Sequence, residues 1–325
     1  MSKVFVSGPT GCIGAATLAW LLDHGATQIV GFSRNQDFSR IDASYQDRIS
    51  LIEGDITDAA CVHAAVSSAQ PDRIIHLAAF QTPECQSRPF QGLAVNVTGT
   101  ANILKSAAAL GSRLQRFVVA SSAAVYGPRS IYPTDTVAEE CPYLPPNLYG
   151  YWKTAGEGMA QAFFRETGIP TVSLRLATTY GPGRDKGLTS APTDALRAAA
   201  WQQPFAMPYQ GREHYHFVTD VGAGFAESAL RPFDGYGVFN LRGNTVEGLD
   251  FLSLIREAAV EIGLPEPNLS IAPDAQTMPF VCDLDETAVV SAFPEMPLTP
   301  LRDGIRESLE HFRTLPQSSN TMPPS

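Results

Sequence analysis

Six short runs of apolar, largely β-branched residues punctuate residues 1–177 of the chain: KVFVS at 3–7, TQIVGF at 27–32, ISLI at 49–52, RIIHL at 73–77, RFVVAS at 116–121 and TVSLRLA at 171–177. Each is followed by a longer segment with helical patterning. Hydrophobicity within the runs is continuous rather than alternating, as a strand requires only when both faces of its sheet are covered. The pattern predicts a doubly wound parallel α/β sheet flanked by helices. No period of roughly 20 to 50 residues recurs, which argues against a solenoid or propeller.

The texture changes after about residue 178, where Pro182, Pro192, Pro204 and Pro208 break up the segments. A helix is expected at 249–262, and GVFNLRG at 237–243 reads as a further strand of the large sheet. The expected organisation is therefore a dinucleotide-binding domain of residues 1–177 plus about 214–245, and a smaller lobe of 178–213 and 246–315. The Pro/Ser-rich end, 316–325, reads as a disordered tail.

A chain of 325 residues, 44% hydrophobic and 17% charged, can bury a large core without disulfides or metals. No apolar run reaches the roughly 18 residues of a membrane span. The start, MSKVFVSGPTG, enters a strand directly and lacks the pattern of a secretory leader. The five scattered cysteines fit a reducing cytoplasm, and a net charge of −10 without basic clusters argues against nucleic acid as a partner. His214 and His216 have ordinary strand spacing and no accompanying carboxylate ligand pattern, so no metal is expected.

GPTGCIG follows the first strand and places Gly8, Gly11 and Gly14 before a helix. Such a turn lets backbone N–H groups and a helix N-terminus approach a pyrophosphate, although three glycines can also mark an ordinary turn. Ser33 and Arg34 end the second strand, where a carboxylate would suit a free ribose 2′-hydroxyl and Arg a 2′-phosphate. NADP is expected, with NAD the alternative; Arg34 could equally be a solvated loop residue. Further on, Tyr149 and Lys153 lie four apart on one helix face, with Glu157 a turn beyond and Tyr151 pointing elsewhere. A phenol can serve as a base if nearby cations lower its pKa, and Lys153 is placed to do so. The alternative is a surface pair. Ser122 ends the fifth strand, facing the crevice where such sheets bind ligands. It could bond a substrate oxygen or be a satisfied strand-end hydroxyl.

These pieces, with EGDITD at 53–58, HLAA at 76–79, NVTGTANIL at 96–104, SSAAVYG at 121–127, YGYWK at 149–153, LRLATTYGPG at 174–183 and HFVTDV at 216–221, resemble the extended short-chain dehydrogenase/reductase superfamily, the branch of nucleotide-sugar epimerases and dehydratases. The resemblance implies a Rossmann fold with Ser122, Tyr149 and Lys153 as the catalytic set. It implies cofactor contacts from the glycine loop (Gly8, Thr10, Gly11, Cys12, Ile13, Gly14), from Ser33 and Arg34, from Asp55 and Ile56 beside the adenine, and from Leu77, Ala78 and Ala79. Asn96 would steady the sheet and its loops, and Tyr149 and Lys153 would also touch the cofactor. A homodimer through a four-helix bundle of helices near 90–110 and 147–166 is implied as well.

Family dehydratases and decarboxylases carry acids just after the serine position, where this chain has Ala123 and Ala124. That leaves epimerisation, dehydrogenation or reduction at a secondary alcohol; a non-catalytic NADP-binding sensor is the other reading. Ser122, Ala123, Thr178 and Arg212 are the expected substrate contacts. Thr178 replaces the family's usual Asn, and Glu213 stands where an arginine is expected, with Arg212 beside it. The resemblance implies a sugar or nucleotide sugar as substrate, but both departures fall on positions that normally help hold a nucleotide diphosphate, which brings in a smaller sugar, sugar acid or other hydroxy compound as the alternative.

Overall fold

A computed structural model describes residues 2–278 and 281–316. The strands are β1 (Ser2–Ser7), β2 (Ala26–Ser33), β3 (Ile49–Glu53), β4 (Arg73–His76), β5 (Arg116–Ser122), β6 (Thr171–Leu176), β7 (Thr178–Tyr180), β8 (Phe205–Gln210), β9 (Arg212–Phe217), β10 (Tyr236–Asn240), β11 (Asn244–Glu247) and β12 (Leu269–Thr277). The first six helices are α1 (Cys12–Asp23), α2 (Ala43–Gln46), α3 (Ala59–Ala69), α4 (Thr82–Ser87), α5 (Pro89–Leu93) and α6 (Gly99–Ala108). They are followed by α7 (Leu148–Thr167), α8 (Ala191–Ala200), α9 (Val218–Leu230), α10 (Gly248–Glu261), α11 (Thr287–Ala292) and α12 (Leu301–Thr314).

The apolar runs become a seven-stranded sheet in the order β3-β2-β1-β4-β5-β6-β10, parallel throughout. On one face α1 and α9 pack together, contributing Leu18, Leu21, Val221 and Phe225 to the core; on the other, α3, α6 and α7 contribute Val62, Ile103 and Phe163. Both faces are covered, which is why Val4, Phe5, Val6, Ile74 and Ile75 are fully buried and the strands need no polar alternation. The order of strands reverses between β1 and β4, and ligand crevices of such sheets open at that point. β10 extends the sheet beside β6, as the run at 237–243 predicts.

The small lobe joins β7, β9 and β11 in one sheet and β8 with β12 in another, against α8, α10 and α12. Its border differs from the expected one. Residues 214–217 were assigned to the large domain, but β9 pairs with β7 and β11, so the chain returns to the large sheet only at α9. The expected tail lies, from residue 317, outside the described residues. Among the described residues no helix is long and apolar enough to cross a membrane, and all five cysteines are free.

Candidate active site

The glycine loop is shaped for close approach. Gly8 adopts φ +75°, and a Cβ there would lie 2.9 Å from the Ala78 nitrogen; one on Gly14 would lie 2.2 Å from the Gly8 carbonyl oxygen. Only glycine allows the loop to fold this tightly onto α1 and the end of β4. Gly11 caps α1 without a side-chain hydrogen bond, leaving first-turn N–H groups available to an anion. This cradle fits the pyrophosphate of a dinucleotide. Cys12 and Ile13 open α1; burial pushes the Cys12 thiol up to about 11, so it stays a neutral thiol.

Around the loop, Asp55 accepts hydrogen bonds from the Thr57 N–H and hydroxyl, both at 2.8 Å. Asn96 binds the Phe80 backbone in both directions, accepting from its N–H at 2.7 Å and donating to its carbonyl at 2.9 Å. The segment after β4 is thereby fixed. Arg34 is exposed, with its guanidinium carbon 5.9 Å from the Phe80 ring centroid, and Arg88 lies 5.1 Å from the same ring.

Beyond the loop, a cavity is lined by Ile13, Leu77, Ala79, Ser122, Ala123, Tyr149, Lys153 and Thr178, so the expected catalytic set and three of the four expected substrate residues share one space. Local sequence explains the convergence. Asn147 caps α7 by accepting from the Gly150 N–H at 3.0 Å, and a Cβ on Gly150 would meet the Ala124 carbonyl oxygen at 2.2 Å. The start of α7 is thus pressed onto the turn after β5, carrying Tyr149 to Ser122. The Ser122 hydroxyl accepts from the Ala124 N–H at 3.1 Å and donates to the Leu176 carbonyl at 3.3 Å. Lys153 is buried and donates to the Ala120 carbonyl at 2.7 Å, with its nitrogen 5.6 Å from the Tyr149 ring centroid.

The electrostatics depart from the expectation that Lys153 lowers the phenol. Burial pushes Tyr149 up to about 12, opposed by the Ser122 hydroxyl and the Arg184 guanidinium. Burial also holds Lys153 down to about 8. Ser121 instead donates to Glu157, which forms a two-point ion pair with the fully buried Arg175 at 2.9 Å.

Arg212 is not brought to the cavity. Neighbouring residues on a strand face opposite ways, and Arg212 reaches outward to Asp283 at 2.6 Å while Glu213 faces inward. The two departures noted in the sequence turn out to be partners: Thr178 donates to Glu213 at 2.5 Å. Arg184, Gln81 and Thr189 also line the cavity and were not singled out by sequence reading. The signal available for Arg184 was its place directly after YGPG. His214 and His216 are engaged by Thr245, Leu241 and Arg242 and held neutral by burial.

Comparison with known proteins agrees with this geometry. Residues 4–241 match the NAD dependent epimerase/dehydratase family. A dTDP-L-rhamnose 4-epimerase of Burkholderia thailandensis is 25% identical over 324 residues, covering 88% of each chain. A UDP-glucuronic acid decarboxylase of Arabidopsis thaliana is 24% identical, covering 96% of this chain and 70% of its own. The crystal structure of Thermus thermophilus UDP-glucose 4-epimerase in complex with NAD superposes with a TM-score of 0.80 at 22% identity, covering 96% and 99% of the two chains. The chain belongs to the NAD-dependent epimerase/dehydratase family, with the Rossmann architecture of extended short-chain dehydrogenase/reductases.

Proposed function

We propose that this protein is an NAD(P)-dependent hydride-transfer enzyme acting on a secondary alcohol of a sugar or sugar-like compound, as an epimerase or as a dehydrogenase/reductase. The observation that carries the reading is the convergence of Tyr149, Ser122 and Lys153 in one cavity beside a glycine cradle that a single Cβ would fill. Bound there, an oxidised nicotinamide dinucleotide supplies a hydride acceptor and a positive charge. Ser122 holds the substrate oxygen, and Tyr149 takes the hydroxyl proton at its Oη. Lys153 keeps an ammonium on the Tyr149 side of the cavity, anchored to the Ala120 carbonyl. Bringing the phenol from about 12 to near neutrality requires about 7 kcal/mol of differential stabilisation, within reach of two desolvated cations.

Ala123 and Ala124 leave the β5 side of the cavity without a carboxyl, which favours simple hydride chemistry over elimination or decarboxylation. Arg34 at the end of β2, without an acid beside it on that strand, favours NADP. The free cysteines favour a reducing, cytoplasmic setting. Phe90, Leu93 and Tyr151, exposed on α5 and α7, favour a homodimer through these helices.

The test is to denature freshly purified protein, identify the released nucleotide and its redox state, and assay a panel of sugars. Retained oxidised cofactor with isomerised sugar indicates an epimerase; exchangeable NADP with net NADPH formation indicates a dehydrogenase. Tyr149→Phe is expected to lower kcat by about 10²- to 10⁴-fold with cofactor affinity preserved. A protein that binds cofactor yet neither isomerises nor oxidises any panel member would be a sensor instead.

A further inference from the structure

Glu213 is the carboxyl among the described residues lining the cavity, and its surroundings do not explain it as structure. The residue is 4% exposed, comes from β9, and shares the cavity with Ser122, Tyr149 and Lys153. Its Oε2 accepts from the Thr178 hydroxyl across the β7–β9 pairing, which fixes the rotamer. Its Oε1 is buried with no hydrogen-bond partner. The Tyr209 phenol lies beside the carboxyl and favours its ionised form, and its own hydroxyl, like Oε1, has no completed hydrogen bond, so the two leave a polar end of the cavity open. No cation forms an ion pair with Glu213 among the described residues, whereas Glu157 and Glu227, the other most buried glutamates, are paired with arginines. A buried acceptor left open in this way is penalised unless something completes it.

Two of the neighbours are committed elsewhere. His214, the next residue on β9, also lines the cavity, but its ring nitrogens are engaged by Thr245 and the Leu241 carbonyl. Arg184, half-buried in the cavity wall, is turned to Gln81 and Thr189. Burial raises the Glu213 carboxyl to about 7, against the pull of the Thr178 and Tyr209 hydroxyls, and a further hydroxyl donated to Oε1 would favour the ionised form.

We infer that Glu213, oriented by Thr178, is the substrate-anchoring residue of this site, that it accepts a hydrogen bond from a hydroxyl of the substrate, and that the substrate is a small polyhydroxy compound with no phosphate at that end. The inference rests on the proposed hydride-transfer function and deepens it. A hydroxyl satisfies Oε1 as donor, whereas a diphosphate offers only acceptors and negative charge to a carboxylate in a poorly solvated wall. A site built to bond a substrate hydroxyl also discriminates strongly against analogues that lack it.

The experiment has two arms, both on the full chain saturated with NADP or NAD. In the kinetic arm, free aldoses, alditols, aldonates and UDP-glucose are assayed with wild type, Glu213→Gln and Glu213→Asp, each checked for an unchanged circular-dichroism spectrum. Turnover is expected within the free polyhydroxy set. For the best substrate, Glu213→Gln should raise KM about tenfold with a smaller change in kcat, and Glu213→Asp should recover part of the loss because a carboxylate is retained. In the binding arm, UDP alone at about 5 mM should leave the melting temperature of wild type within about 1 °C of its unliganded value.

Preferred turnover of UDP-glucose, a clear UDP-induced stabilisation of wild type, or a KM unmoved by Glu213→Gln would each overturn the assignment. The binding arm needs no turnover, so it reads the charge argument even if the panel lacks the true substrate. Failure of the parent reading looks different: no dinucleotide binds, or Tyr149→Phe leaves turnover unchanged.

Discussion

Lys153 carries an energetic burden that follows from the position its proposed catalytic role requires. Burial beside Tyr149 holds its ammonium down to about 8, against about 10.5 in the unfolded chain. At pH 7 the ammonium is charged in both states, and the shift corresponds to about 3 kcal/mol of lost stability. Between the two pKa values the unfolded chain binds more protons, so wild-type stability rises with pH across that window. Lys153→Met removes the burden but leaves the Ala120 carbonyl without its donor, at about 1–3 kcal/mol. The cofactor-free variant is therefore expected to be inactive and up to about 2 kcal/mol more stable than wild type at pH 7, with the difference shrinking toward pH 10. Thermal unfolding at both pH values checks this; a difference that widens as pH rises would contradict it. At this scale Ser122, Tyr149 and Lys153 were legible because two of them are spaced by one helical turn and the third ends an apolar strand. The Thr178–Glu213 pair was not, since residues 35 apart meet only through the β7–β9 pairing.

α7 is positioned by more than apolar packing. Glu157, one turn beyond Lys153, holds Arg175 of β6 through two contacts of 2.9 Å, accepts from Tyr143 at 2.9 Å and receives the Ser121 hydroxyl of β5. Arg175 is fully buried, so this network ties the helix bearing Tyr149 and Lys153 to the strand ending in Ser122. Breaking one partner strands a charge in the core. Glu157→Leu is expected to lower unfolding stability by about 3–5 kcal/mol, and Glu157→Leu with Arg175→Met to recover part of it, because no charge is then left buried although the Ser121 and Tyr143 hydroxyls lose their acceptor. Urea unfolding of the two variants measures it; a double variant no more stable than the single one would show that the loss comes from packing. Glu157 was placed on this helix from sequence, but Arg175 sits inside the apolar run TVSLRLA and gave no sign of its partner. Strands of the small lobe were equally hidden. β7 is three residues long, and β12 carries Pro273 within a register shift between Ile271 and Gln276, so neither shows a strand period.

At the scale of the whole molecule, the parallel sheet was legible because covering both faces demands long apolar strands, whereas the border between lobes depends on which sheet β9 joins. The proposed homodimer would use a different surface. Phe90 is 86% exposed, and with Leu93 and Tyr151 it lies on α5 and α7, elements that pack against each other. Isolated exposed apolar residues are ordinary, but three large ones on two helices in contact offer a second copy apolar surface to cover. A two-fold dimer would bring each patch against itself, forming the expected bundle and burying at least about 1,000 Å² if stable. None of these three residues lines the candidate active-site cavity. Phe90→Glu combined with Tyr151→Glu should therefore convert a dimer to a monomer at about 10 μM, read by light scattering after size exclusion, because four carboxylates would be forced into an apolar seam. Wild type running as a monomer at that concentration would remove the patch from the assembly argument, and a charged variant that stays dimeric would place the interface on another face.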